Sequence, residues 1–548
     1  MTTPAEPVPQ GAARSDLPAL ERQITQAYDE GHDADIPSDI GYVLDDAGEK
    51  RRRQSFAERR RNSLVKKSSH ASGGNHATDL EAAKDEKSDE ATSEDEANPY
   101  NWPTWRKVLN CGLISALTFI TPLGSSIFAP GVPQLMRDFR SSNELLAAFV
   151  VSVYVLGFAA GPMLIAPLSE IYGRNPIYHI CNFCFIGFLV GCALAPSLDA
   201  LIVFRFLSGV FGSCPLTNGG GSIADMMVQE KRGAAMAVFS IGPLLGPIIG
   251  PVAGGFLAEA KGWRWVFWLL VIVDGFLSVV MFVFARETYA PVLLQRKVDR
   301  LRKETGNDLL RSKLDAGLSP RDYFKRGIVR PFKMLFQSPL CAVFAVYMGI
   351  TYGYLYLLFT SITVVFQQNY GFGSGTVGLV FIGLGVGSMI GLAYYSITSD
   401  RTLKKMAAKE GQGMKPEYRL KPLPLGAILL PAGFFLYGWT AQYKVHWIVP
   451  ILGHLIIGVG NLLIFMAINM ALVDTFTIYA ASALASNTVV RSIFGAVLPL
   501  CGLKMYGALG YGWGNSLLGF IAIAMVPVSF GLLKYGERLR LRFPVRNL

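Results

Sequence analysis

The interpretation of the whole chain depends on two neighbouring stretches, RFLSGVFGSCPLTNGGGSIAD (residues 205–225) and IGPLLGPIIGPVAGGF (residues 241–256). The first places an arginine, Arg205, inside an apolar run, and the second repeats glycine and proline every four residues. Neither feature suits a soluble core, because an unpaired charge and a proline inside a helix each cost several kcal/mol there. A bundle of membrane helices tolerates both.

The composition predicts an all-α membrane protein. The chain has 548 residues, of which 51% are hydrophobic and 17% charged, and its mean hydropathy is +0.35. A span needs about 20 mostly apolar residues. Twelve such runs are predicted, at residues 108–130, 144–166, 176–196, 198–222, 234–258, 263–285, 338–366, 375–397, 422–441, 446–472, 478–503 and 511–534.

The charges divide the chain and orient it. Residues 1–98 carry 13 Lys/Arg and 21 Asp/Glu, whereas the rest carry 38 and 19. With the N-terminus inside, 28 Lys/Arg fall in cytoplasmic loops and the C-terminal tail and six in outer turns, which predicts that both termini are cytoplasmic. The predicted segments are a disordered cytoplasmic tail (1–97), a six-helix half (98–285), a cytoplasmic central loop (286–337), a second six-helix half (338–535) and a cytoplasmic tail (536–548).

Three other kinds of protein are disfavoured. The basic residues flank spans instead of forming one face, so no nucleic acid partner is expected. All seven cysteines lie within predicted spans, which indicates buried apolar side chains rather than disulfides or a metal site. The sequence has no phosphate-binding G-K-[ST] loop and no catalytic constellation at a plausible spacing, so enzymatic activity is not expected.

The N-terminal tail contains two candidate phosphorylation sites. Ser55 and Ser63 each follow a basic cluster with R-R-x-S spacing, which resembles the substrates of basophilic kinases. Phosphate there would reduce the positive charge that can hold the tail to anionic lipid. A solvated tail without this role is the alternative.

The turn after the second span places opposite charges close together. It reads APLSEIYGRNP (residues 166–176), in which Glu170, Gly173 and Arg174 can form a charged lock that holds one conformation. This turn resembles the signature G-x-L-x-D-R-x-G-R-[RK] between helices two and three of the major facilitator superfamily. Its P-L-S-E-x-Y-G-R form is similar to that of fungal multidrug facilitators, although Ile171 replaces the first arginine and Asn175 the last basic residue.

The resemblance implies the major facilitator fold, with twelve transmembrane helices in two six-helix halves. It covers about residues 98–540. In the second half, Asp400 and Arg401 follow the eighth span and are the expected counterpart of the first-half turn.

Three ionisable residues are candidates for proton coupling. Arg205 lies roughly 10 Å from the outer end of the fourth span, Asp225 lies at the cytoplasmic end, and Asp274 lies near the middle of the sixth span. Intramembrane charges usually face the bundle interior or mark a pathway, with a structural arginine as the alternative. The resemblance adds that the helix-four arginine of the superfamily is implicated in proton transfer and that helix six normally supports the bundle.

The fifth span carries a repeat of small and helix-bending residues. Glycines at four-residue intervals form a groove that another helix can approach, and prolines permit bending. The pattern resembles the antiporter signature G-x-x-x-G-P-x-x-G-G of helix five, which importers and uniporters of the superfamily generally lack. Ordinary close packing is the alternative. The residues are Gly242, Pro243, Gly246, Pro247, Gly250, Pro251, Gly254 and Gly255.

The second half contains the candidate substrate surface. In the seventh span, Tyr352, Tyr356 and Phe359 share one helical face, which can hold flat, hydrophobic or cationic molecules. Packing between helices is the alternative for these rings. Further candidates for lining a cavity are Asn469, Asn487 and Arg491.

The resemblance therefore implies a proton-coupled efflux antiporter in the plasma membrane of a fungal cell. It would export amphipathic drugs, toxins or secondary metabolites by alternating access, as a monomer in the lipid bilayer, with the proton gradient in place of any cofactor. The alternatives are a polyamine exporter or a proton-coupled importer on the same scaffold, and a nutrient receptor that does not transport.

Overall fold

The computed structural model describes residues 98–227, 229–306, 312, 314, 319–410 and 415–543, and this part of the chain is helical without strands. We number the α-helices in chain order. They are α1 (Thr104–Ser126), α2 (Val132–Asp138), α3 (Glu144–Tyr172), α4 (Arg174–Ala193), α5 (Leu198–Gly212), α6 (Cys214–Met226), α7 (Gln229–Lys261), α8 (Arg264–Phe284), α9 (Ala290–Thr305), α10 (Pro320–Gln337), α11 (Pro339–Tyr370), α12 (Ser374–Glu410), α13 (Leu423–Gln442), α14 (Ile448–Phe476) and α15 (Ala480–Arg542).

Eleven helical stretches among the described residues are long and apolar enough to cross a membrane. The last one, α15, has 63 residues. At helical rise it would be about 95 Å long, three times the roughly 30 Å of a bilayer core. Its backbone breaks at Gly510, where φ is 72° and ψ is 174°. The Tyr506 hydroxyl donates to Asn515 Oδ1 at 3.0 Å, so the chain reverses there and crosses twelve times, as predicted.

The spans alternate in direction, which defines two sides of the molecule. We call the side on which α1 begins the tail side, because the N-terminal tail precedes it, and the opposite side the far side. Helices α1–α8 form the first half and α11–α15 the second. Large apolar side chains such as Ile272, Phe276 and Val279 on α8 are exposed, as expected of a surface that faces lipid.

The structure differs from the predicted elements in two places. The fourth span is divided at Ser213 into α5 and α6, since Pro215 in the first turn of α6 has no N–H with which to continue the helix. The central loop, expected only as a polar connection, contains α9 and α10. Helix α10 packs on α3, where Gly327 has no side chain to separate it from Pro167.

Candidate functional site

A cavity lies between the two halves, near the middle of the spans. Its empty space is about 1000 Å³, a volume that includes open solvent. Tyr352, Tyr356 and Phe359, which the sequence placed on one face, all line it. Their rings are in contact, with neighbouring centroids 5.1 and 5.3 Å apart. The cavity thus has an aromatic wall on the second half.

The three polar candidates of the second half occupy different positions. Arg491 lines the cavity. Asn487 donates to Asn469 Oδ1 at 3.4 Å, and Asn469 donates to the carbonyl of Phe465 at 2.8 Å. Phe465 is itself a lining residue, whereas neither asparagine is among the lining residues of the described chain. The asparagine pair therefore contacts the wall of the cavity without forming it.

Among the described residues, three hydrogen bonds join the halves on the far side of the cavity. The hydroxyls of Ser125 on α1 and Tyr356 on α11 are 2.9 Å apart. Ser152 on α3 donates to the carbonyl of Ala496 on α15 at 2.9 Å. The third joins α7 to α12, where the amide of Gly375 donates to the Glu259 carboxylate at 2.6 Å. The cavity-lining residues of α1, α7 and α12 all lie to the tail side of these contacts, so the structure is closed on the far side.

Arg205 is 1% exposed and stabilises this closure from within the first half. Its Nε donates to the carbonyl of Val150 at 2.7 Å, and its Nη2 donates to the carbonyl of Ser125 at 3.2 Å. Its guanidinium carbon lies 5.1–5.8 Å from the ring centroids of Phe128, Tyr154 and Phe267. One buried cation thus holds α1 and α3, the two first-half helices whose serines contact the second half.

The two carboxylates proposed as partners of Arg205 lie in different surroundings. Asp274 on α8 is 2% exposed, and its Oδ2 has no hydrogen-bond partner among the described residues. Tyr154 is within electrostatic reach of both Arg205 and Asp274. Asp225 lies at the tail-side end of α6, where its Oδ2 is 3.4 Å from Arg174 Nε. Asp274 and Arg205 thus share Tyr154 as an electrostatic neighbour, whereas Asp225 belongs to a separate cluster.

Helix α7 packs on α1 with one face and lines the cavity with another. Its repeated glycines face α1: a Cβ on Gly242 would lie 3.0 Å from the amide nitrogen of Phe119, and one on Gly246 would lie 2.9 Å from that of Leu123. Gly250 and Gly254 continue this contact along α1. The intervening Pro243 and Pro247 line the cavity. Towards the far side, Pro251 and Gly255 instead face Gly378 and Ser374 of α12 in the second half.

The close approach of α7 to α1 predicts the effect of a single methyl group. A Cβ at position 246 would meet backbone atoms of α1 that cannot rotate away, so we expect Gly246→Ala to lower stability by about 1–3 kcal/mol and to reduce transport. Gly275→Ala on α8 is the matched control, since a Cβ there has nothing within 4 Å. Thermal unfolding of the purified variants measures both. Equal melting temperatures of the wild-type protein and Gly246→Ala would show that α1 and α7 can move apart without loss of stability.

A charged cluster on the tail side surrounds Arg174. Its Nη1 donates to Ser169 Oγ at 2.8 Å, its Nε pairs with Asp225, and its guanidinium carbon lies 4.8 Å from the ring centroid of Tyr289. The expected partner, Glu170, forms no hydrogen bond or ion pair with any residue that the structure describes. The lock in this structure therefore joins the end of α3 to the end of α6.

Glu287, which the sequence analysis did not single out, completes this cluster. It is 7% exposed, and its carboxylate accepts hydrogen bonds from the backbone amides of Arg174 and Asn175 at 2.9 and 3.2 Å. It thereby caps α4, where a carboxylate complements the helix dipole. Gly173, with φ at +100°, lies directly against this carboxylate, so both its backbone conformation and the available space require glycine.

The second half contains an equivalent arginine cluster. Its members are far apart in the sequence, so their spacing did not indicate it. Arg419 donates from Nη1 to Ser399 Oγ and from Nε to Asp474 Oδ2, both at 3.0 Å. These contacts reproduce those of Arg174 with Ser169 and Asp225. Arg401, the expected counterpart, is exposed.

Three further candidates cannot be placed. The side chain of Asp400 and the tail residues Ser55 and Ser63 lie outside the described residues. For the cluster in the second half, the signal available in the sequence was Asp474 at the end of the tenth span, matching Asp225 at the end of the fourth.

Comparison with known proteins identifies relatives of similar length. The sequence pattern of the Major Facilitator Superfamily matches residues 114–499. The MFS-type transporter tndD of Aspergillus flavipes is 58% identical over 454 residues, which cover 82% of this chain and 84% of the relative. The MFS-type transporter penM of Penicillium rubens is 56% identical, covering 82% and 88%, and the efflux pump radE of Floropilus chiversii is 52% identical, covering 82% and 83%.

Solved structures agree on the fold. The xylose transporter XylE from E. coli, in a partially occluded inward-open conformation, matches with a TM-score of 0.57 at 15% identity, covering 79% of this chain and 98% of that one. At this identity the likeness concerns architecture alone. Together with the matches in sequence, it shows that the chain belongs to the Major Facilitator Superfamily, among its fungal membrane transporters rather than among enzymes.

Proposed function

We propose that this transporter exports an amphipathic small molecule, such as a drug, toxin or secondary metabolite, from a fungal cell in exchange for entering protons. The tail side is the cytoplasmic side, because 28 Lys/Arg lie there in loops and the C-terminal tail against six in the opposite turns. Both termini are then cytoplasmic, and the plasma membrane is the proposed location. A relative named as an efflux pump supports the direction.

One observation carries the proposed coupling, namely that Arg205 holds α1 and α3, two of the three first-half helices that close the far side. Its hydrogen bonds go to the carbonyls of Ser125 and Val150. Ser125 itself contacts Tyr356, and Val150 lies two residues before Ser152, which contacts Ala496. Tyr356 is also a wall of the cavity. A change of charge near Arg205 and the arrival of substrate therefore act on the same closure, as coupled exchange requires.

Reconstitution of the full chain in lipid vesicles tests this proposal. We expect fluorescent amphipathic dyes to accumulate when the lumen is acidic, because protons leaving the lumen drive substrate into it. Accumulation should disappear when nigericin collapses the pH gradient, and protein-free vesicles correct for passive partition. Accumulation only with an alkaline lumen would instead identify a proton-coupled importer, and binding of dye without any movement would identify a receptor.

A further inference from the structure

The charge of the transported molecule follows from one side chain in the cavity. The residues that line the cavity all belong to the described part of the chain. Arg491 is the one charged residue among them, and none of them is Asp or Glu. Neutral polar groups such as Asn461 and Ser388 contribute no charge to offset it. The surface offered to a ligand is therefore positive at one point and neutral or apolar elsewhere.

Arg491 also lacks an acceptor. It forms no hydrogen bond or ion pair with a described residue, and its Nε is buried without a partner. Its guanidinium carbon lies 5.0 Å from the ring centroid of Tyr352 and 5.5 Å from that of Phe465. These rings hold the group in place, but the Tyr352 hydroxyl accepts no hydrogen bond from its five N–H donors and phenylalanine has no acceptor. A ligand that brings such oxygens would satisfy a need that the protein leaves open.

We propose, on the basis of the export function above, that the substrate is an amphipathic organic anion. Its carboxylate or enolate pairs with Arg491, whose planar fork matches two oxygens at once. Its apolar body lies against the surrounding walls, which include Leu355, Phe359, Phe381, Leu384 and Met466.

Cations, including polyamines, are the wrong class for this cavity. The sequence suggested that the aromatic face could bind a cation, but Arg491 already lies over Tyr352 and Phe465. A cationic ligand on the same wall would meet a like charge with no lining carboxylate to compensate. The aromatic face therefore positions the arginine, and the arginine selects the ligand.

Two dyes with one xanthene skeleton and opposite charge test the proposal. Fluorescein is an anion at neutral pH and rhodamine 123 is a cation. Binding of each to the purified full chain is measured by fluorescence polarisation, and uptake of each is measured in the vesicles described above. We expect the wild-type protein to bind fluorescein roughly tenfold or more tightly than rhodamine 123. This comparison needs no variant, so it does not depend on how a substitution affects folding.

Three variants assign the selectivity to Arg491. Arg491→Met should remove the preference for fluorescein, whereas Arg491→Lys, which keeps the charge, should retain part of it. Arg538→Met is the matched control, because Arg538 is an exposed arginine whose guanidinium carbon lies 5.9 Å from the Tyr535 ring centroid, outside the cavity. It should leave both affinities unchanged.

The outcomes distinguish this inference from the export function. Equal binding of the two dyes, tighter binding of rhodamine 123, binding of neither, or unchanged selectivity in Arg491→Met would each overturn the anionic substrate. If fluorescein binds selectively through Arg491 but moves under no gradient, the anion site stands and the export function fails. If rhodamine 123 accumulates with an acidic lumen, export stands and the anion inference fails.

Discussion

We expect the Arg205→Ala variant to lose transport and to unfold at a lower temperature than the wild-type protein. The substitution removes the side-chain donors of the buried carbonyls of Val150 and Ser125, and each lost hydrogen bond costs about 1–3 kcal/mol. It also leaves a void among the aromatic rings that now surround the guanidinium. Because the same carbonyls belong to the helices that close the far side, the closure should weaken. Thermal unfolding in detergent and dye uptake in vesicles measure the two effects.

Arg205→Lys separates the charge from the geometry. Lysine keeps the positive charge, but its compact ammonium cannot hold carbonyls on α1 and α3 as a planar fork does, so uptake should fall by roughly tenfold while the melting temperature falls less than in Arg205→Ala. The matched control is Arg264→Lys, where a half-exposed arginine lies over Trp263 and pairs with Asp138 at 3.7 Å. It should transport normally. Normal uptake by Arg205→Lys would show that the fork is not needed for coupling.

The fold could be predicted because membrane spans are encoded locally. Each needs about 20 apolar residues, and this requirement alone placed twelve crossings and the boundary near Gly510. The helices α9 and α10 were missed because their apolar residues are few and widely spaced among charges. The break at Ser213 depends on a proline at the start of α6, which a hydropathy pattern treats as part of one continuous span.

The site could be predicted only in part, because pairing between distant helices is not encoded in spacing. The sequence indicated Arg205, Asp274 and Arg491 as charges in apolar surroundings. It could not indicate Ser125 or Glu287, since a serine near the end of one span and a glutamate after another are common. It indicated Arg401 and missed Arg419, because the connection from Ser399 to the arginine is longer in the second half than the one from Ser169 to Arg174.

We expect Asp274→Asn to separate proton coupling from substrate movement. Asp274 is buried and, like Arg205, lies within electrostatic reach of Tyr154, and Asn keeps its shape without being able to exchange a proton. Accumulation driven by an acidic lumen should fall by roughly tenfold or more. Exchange of labelled for unlabelled dye, which needs alternating access but no net proton movement, should stay within about twofold of wild type. Asp299→Asn, on the exposed surface of α9, is the control and should change neither rate.

The choice of Asp274 over Asp225 rests on what each carboxylate already contacts. Asp225 is paired with Arg174 on the tail side, so it is committed to the lock there. Asp274 Oδ2 has no hydrogen-bond partner in the part of the chain that the structure describes. Asp274 and Arg205 both act on Tyr154, whose hydroxyl donates to the carbonyl of Thr121 on α1. A proton arriving on Asp274 would remove a negative charge from the surroundings of Tyr154, on which Arg205 also acts, and Tyr154 would carry this change to α1. If Asp274→Asn instead loses both accumulation and exchange, the residue supports the bundle; if it loses neither, another group carries the proton.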